Sequence, residues 1–203
     1  ILPNGKEVKG VTNVLGNINT SAFPFVLNFS DYNAGVNFSW TAPVNAGLCE
    51  FYYRFNYVEE NILSGSYTNK SVELPLILGQ EVSATNLGGF YNFKNKDFYS
   101  SLSAAIPIKG PEIVRYVDTG DLLSYAGSRE LANYINQNKA QGGLTADQIQ
   151  PIFSNLIGDD VYGIFSSRSR NIKIGVPFTK STVDSIKTNP VTAALAFKGL
   201  SPY

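Results

Sequence analysis

Phe51-Tyr52-Tyr53-Arg54-Phe55-Asn56-Tyr57 is the stretch that decides the fold class. Successive side chains of a strand leave opposite faces, so Phe51, Tyr53, Phe55 and Tyr57 share one side and Tyr52, Arg54 and Asn56 the other. A strand with one apolar face buries that face against a second layer. Upstream, Val36, Phe38 and Trp40 alternate with Asn37, Ser39 and Thr41, and before them Phe23, Phe25, Leu27 and Phe29 share a face. Residues 31–35 between these two runs are rich in turn formers, so the runs are expected to pair as a hairpin. Downstream, Val72, Leu74, Leu76 and Leu78 repeat the pattern, with Pro75 marking an edge strand or a bulge.

Residues 90–93, 99–108 and 113–117 add further strand candidates, and short strands in this number predict a sandwich or a barrel. From 120 to 158 helical spacing replaces alternation. Ser128 is placed to cap a helix carrying Leu131, Tyr134 and Ile135, and a second helix starting near Gln150 carries Ile152, Phe153, Leu156 and Ile157, with Ile149 just before it. These helices are expected to dock on the sandwich through Leu131, Ile135, Ile149, Phe153 and Leu156, because short helices need tertiary burial. Strands return at 161–165 and at Ile172, Ile174, Val176 and Phe178; a helix capped by Ser181 or Thr182 follows, and 191–197 reads as a last strand.

The expected fold is therefore mainly β: an antiparallel, jelly-roll-like β-sandwich of one domain over residues 1–203. Its strands span 20–118 and 161–197, with a short helical insertion around 120–158. Phe25, Leu27, Phe38, Trp40, Phe55, Leu76 and Ile174 are the expected core, each on the apolar face of an alternating segment.

Composition removes most catalytic machinery. The chain has no His, which excludes Ser-His-Asp and Cys-His catalysis and imidazole zinc sites, and its single Cys excludes dithiol chemistry. Cys49 lies near Leu48 and Phe51 and is expected to be a buried thiol. No Gly-rich phosphate loop leads into Lys and Ser or Thr. The adjacent acids Glu59-Glu60 and Asp159-Asp160 point to opposite faces of a strand, so neither makes a facing dyad, and they read as solvated turn acids. Asp118, Asp121 and Asp160 lack the ordered spacing of a calcium loop. No cofactor or metal is implied.

Sixteen basic and sixteen acidic residues balance, so no global field steers the chain to nucleic acid or an anionic membrane. Residues 10–30 lack charge, but Asn13, Asn17, Asn19 and Asn28 interrupt them, which argues against a transmembrane span. The absence of Met and the start at Ile1 are read as a processed N-terminus, and sequons at Asn19, Asn28, Asn37 and Asn69 as chance in an Asn-rich chain. With 16% charged residues, little repulsion opposes association.

Three side chains are the candidate subunit or ligand contacts. Arg168 and Arg170 share a strand face within the one basic cluster, and Tyr52 is the ring left exposed when Phe51, Tyr53 and Phe55 turn inward. Expected partners are copies of the chain and other structural subunits. The expected role is a non-enzymatic structural protein, such as a virion capsid or surface filament subunit, located in a virion or at a cell surface. The alternative is a secreted carbohydrate- or lipid-binding β-domain.

Overall fold

A computed structural model describes residues 7–21, 23–138, 153–158 and 161–201. The protein is mainly β. Its strands are β1 (Lys9–Gly10), β2 (Gly35–Thr41), β3 (Ala46–Asn61), β4 (Ser66–Glu81), β5 (Gly88–Lys94), β6 (Ile113–Ser128), β7 (Leu156–Ile157), β8 (Arg168–Val176) and β9 (Phe197–Leu200). The helices are α1 (Asn95–Ala105), α2 (Arg129–Asn138) and α3 (Lys180–Thr188).

The large sheet runs β4-β3-β6-β8, all antiparallel, with β9 parallel to the other end of β6. The alternation at 51–57 holds: Phe51, Tyr53, Phe55 and Tyr57 are buried, while Tyr52, Arg54 and Asn56 line the opposite face. Against the apolar face lie the two-stranded ribbon of β2 and β5, helix α1 and the chain around Phe178. Trp40 packs 4.8 Å from Phe51, and Phe178 lies 5.5 Å from Phe55 between ring centroids. Pro75 sits on the edge strand beside a register irregularity, as a residue without an N–H requires.

Several expectations are corrected. Residues 23–29 form no strand and do not pair with β2, whose partner is β5. This segment instead crosses the sheet irregularly, with the Phe29 N–H donating to Thr182 Oγ1 at 2.7 Å and the Leu27 N–H to the Pro177 carbonyl at 2.9 Å. Phe23, Leu27 and Phe29 are buried, but Phe25 is 78% exposed and lies outside the core. The run 99–108 falls largely in α1, because Phe98, Leu102 and the following Ile106 recur at helical spacing and are all buried.

The helical insertion begins later than expected. Residues 113–128 form a single strand between β3 and β8, with both edges paired and both faces largely covered; such strands lose the alternation that marks half-buried ones. Helix α2 does follow Ser128, but only Ala132 is buried on it, and Tyr134 and Ile135 are each 37% exposed. Leu156 and Ile157 pair with Lys9 and Gly10 as a short ladder rather than a helix. Ile149 and Ile152 lie outside the described residues. Residues 161–165 form no strand, since the Asn155 side chain, not a neighbouring strand, pairs with the backbone N–H and carbonyl of Phe165. Helix α3 is capped by Thr179, ahead of the expected Ser181 or Thr182, and a 3-10 turn at Ala193–Leu195 precedes β9.

Ile174 is the second core assignment to fail. From Gly120 to Leu122 on β6 the partner shifts from Val176 to Lys173, so β8 carries one extra residue there. Gly175 accommodates it with φ of 70°, a conformation costly for side chains bearing Cβ. The bulge reverses the parity: Val176 and Phe178 turn inward, and Ile174 is 76% exposed.

Cys49 is fully buried, and desolvation pushes its thiol up to about 12. Thiolate chemistry is therefore suppressed in the folded state. Iodoacetamide at mildly alkaline pH should leave the native protein unlabelled and modify it once per chain in denaturant; rapid native labelling would contradict this burial.

Candidate functional face of the large sheet

The face of the large sheet away from the core is built in rows by the strand register. Glu50 of β3 lies opposite Tyr125 of β6, which lies opposite Arg170 of β8. The next row is Pro75, Tyr52, Leu123 and Ile172, and the one after it Glu73, Arg54 and Asp121. At the other end, Leu48, Gly127 and Arg168 form a row against which Leu131 of α2 rests.

The three candidate contacts read from the sequence, Tyr52, Arg168 and Arg170, converge on one ring. Tyr52 meets Tyr125 edge to face at 5.9 Å, and the guanidinium carbons of Arg168 and Arg170 stand 5.7 and 5.8 Å from its centroid. Arg168 also reaches Glu50 at 3.4 Å. Arg170 is exposed and makes no ion pair among the described residues. Partial burial raises the Tyr52 hydroxyl above its ordinary range, with Glu50 adding to the effect.

Arg54 donates to Glu73 at 2.8 Å, which holds its guanidinium in the charged form, and lies 3.7 Å from Asp121. Asp121 accepts from the Gly175 N–H at 3.0 Å and from Asn56. Its oxygens are thus spent on the sheet and the bulge. Tyr125, the centre of this arrangement, escaped the sequence reading because it lay in the stretch taken for helix. The strand read at 113–117 continues through Leu122, Leu123 and Tyr125, whose residue types favour a strand without alternation to announce it.

The acidic pair Glu59-Glu60 is not a pair of solvated turn acids. Both lie in β3 and do point to opposite faces: Glu60 accepts from Tyr67 and Tyr116, while Glu59 is 6% exposed. Glu59 accepts from Arg115 Nε at 3.0 Å and Lys109 Nζ at 2.7 Å. Arg115, 1% exposed, also donates to the carbonyls of Leu195 and Pro107. Burial alone pushes the Glu59 carboxyl up, but the hydrogen bonds and charges of Lys109 and Arg115 outweigh it and hold the group below the usual glutamate range. This cluster is a structural clamp joining β3, β6, the loop after α1 and the turn before β9.

Asp159 and Asp160 lie outside the described residues, and Asp118 is exposed. Among the described residues no three His, Cys, Asp or Glu side chains stand close enough to hold a metal ion, and no helix is long and apolar enough to cross a membrane. An open cleft of about 290 Å³ lies at the ribbon's end, lined by residues including Trp40, Gln80, Glu81, Ser83, Asn86 and Phe90. No protein-family model, curated protein or solved structure matches the chain.

Proposed function

We propose that this chain is a non-enzymatic structural subunit that associates with copies of itself through the outer face of its large sheet, as a virion capsid or surface filament subunit does. The observation that carries the reading is the convergence of Tyr52, Arg168 and Arg170 on Tyr125, on a sheet face rather than in a cleft. Tyrosine and arginine combine large contact area with directional pairing, which is why they dominate interface energetics. The face balances Arg54, Arg168 and Arg170 against Glu50, Glu73 and Asp121, so a second copy meets no net repulsion. The ribbon of β2 and β5 on the other face of the sheet supports a sandwich of the jelly-roll kind, and a virion or cell-surface location follows from the same reading.

The cleft at Trp40 and Phe90 favours a second reading, a secreted carbohydrate- or lipid-binding domain. Its exposed Phe90 ring beside Gln80, Ser83 and Asn86 offers stacking and neutral hydrogen bonding. Size-exclusion chromatography with light scattering over a concentration series separates the two. Self-association that weakens at least tenfold when Arg168 and Arg170 are both replaced by Ser, with unchanged circular dichroism, supports the first. A protein that stays monomeric and binds a glycan or lipid saturably overturns it.

A further inference from the structure

Resting on that reading of the outer face, we infer that the contact is isologous, with a two-fold axis running parallel to β6 over Tyr125. Register alone sets the pattern: across β3, β6 and β8 one row reads Glu50, Tyr125, Arg170 and the next Tyr52, Leu123, Ile172. A half-turn about an axis along the middle strand keeps each row at its own level and exchanges its two ends. Glu50 of each copy then faces Arg170 of the other, and Tyr52 faces Ile172. Tyr125 meets its own counterpart on the axis, as an isologous contact requires, while Leu123 is fully buried beneath the surface and makes no contact itself. A row that is acidic at one end, aromatic in the middle and basic at the other is its own complement under this operation.

The other in-plane axis, laid across the strands at the level of Tyr125, sets Glu50 against Glu50 and Arg170 against Arg170. Charge complementarity therefore selects the axis along β6. Arg170 is the natural donor, because Arg168 is already held by Glu50 within the chain while Arg170 has no ion pair among the described residues. Asp121 also lies on the axis strand, but Arg54, Asn56 and the Gly175 N–H already satisfy it.

Size sets the strength. Helix α2 limits the footprint at the end where Leu131 rests beside Gly127 and Leu48. The remaining rows span roughly 20 Å by 20 Å, from strand spacings of about 4.8 Å and about 6.8 Å per residue pair. Leu123 and Asp121 within this footprint are already buried, so less than about 800 Å² is buried in all, which places the contact with weak, reversible ones. The concentration series must accordingly reach about 1 mM, the range in which weak contacts populate.

The test reverses one charge at a time, Glu50→Arg and Arg170→Glu, and reads mass by sedimentation velocity and light scattering, with circular dichroism confirming the fold. Each variant alone should weaken dimerisation at least tenfold, since like charges then face each other twice. An equimolar mixture of the two should recover a two-chain species, because every facing pair is again opposite in sign. If the parent associates but neither reversal weakens it, this pairing is wrong and self-association through some other surface stands. If the mixture recovers open, larger species, the contact is head-to-tail and the dyad is wrong. A parent that remains monomeric throughout the series overturns the self-association reading itself.

Discussion

Gly120→Ala is expected to cost about 3 kcal/mol or more, because overpacking a central strand leaves no direction in which the added methyl is relieved. Gly120 lies on β6 with partners on both edges, Phe55 of β3 and Val176 of β8. A Cβ built there falls 1.7 Å from Tyr53 Oη and 2.0 Å from its Cζ. Tyr53 is 1% exposed and packs 5.9 Å from Phe178, so its ring has no free space to swing into. For a domain of this size the loss lowers the melting temperature by roughly 6–12 °C. Tyr53→Phe provides the contrast. The hydroxyl is buried without a hydrogen-bond partner among the described residues, and burial pushes its ionisation well above the ordinary range. Removing it should be neutral or stabilising by up to about 1 kcal/mol. Thermal melts of both variants check the pair, and a Gly120→Ala protein melting within about 2 °C of the parent would refute the close approach.

Arg115→Met should destabilise by about 3–5 kcal/mol, the usual consequence of removing one partner of a buried ion pair. Glu59 would keep only Lys109, and the carbonyls of Leu195 and Pro107 would lose their charged donor. Glu59→Gln tests the same clamp through pH. The folded-state carboxyl titrates below the ordinary value of 4.5, so its contribution is fully present above that value and is lost as pH falls through the lower, folded value. The parent should therefore lose stability on acidification more steeply than Glu59→Gln. Urea denaturation at a series of pH values from neutral into the acid range measures this, and parallel curves for the two proteins would show that Glu59 is not held in its charged form.

How far the sequence reached depended on whether a strand had one wet face. Along β3 the period of two was visible because Tyr52, Arg54 and Asn56 line an outer face while Phe51, Tyr53 and Phe55 meet the core, and the inward assignment of Cys49 followed from the same neighbourhood. The grouping of Arg168 with Arg170 on one face also followed from period two, since both precede the bulge on β8. The exclusion of imidazole and dithiol chemistry needed only composition.

Tertiary structure decided what local periodicity does not encode. Strand β6 is largely buried on both faces, so although 113–117 reads as strand, its continuation from residue 120 lacks alternation and reads as helix. The ribbon pairs β2 with β5 across the whole of β3 and β4, a choice made by Phe38 and Trp40 finding Phe51 rather than by the turn beside them. Phe25 ended outside because residues 23–29 are not a strand and alternation does not govern them, and Ile174 because one extra residue at Gly175 reversed the parity of β8. Tyr125 joined Tyr52, Arg168 and Arg170 only when strands distant in the chain came into register. Which side chains alternate is a property of neighbouring residues and their backbone, but which faces meet depends on contacts made at long range when the layers pack.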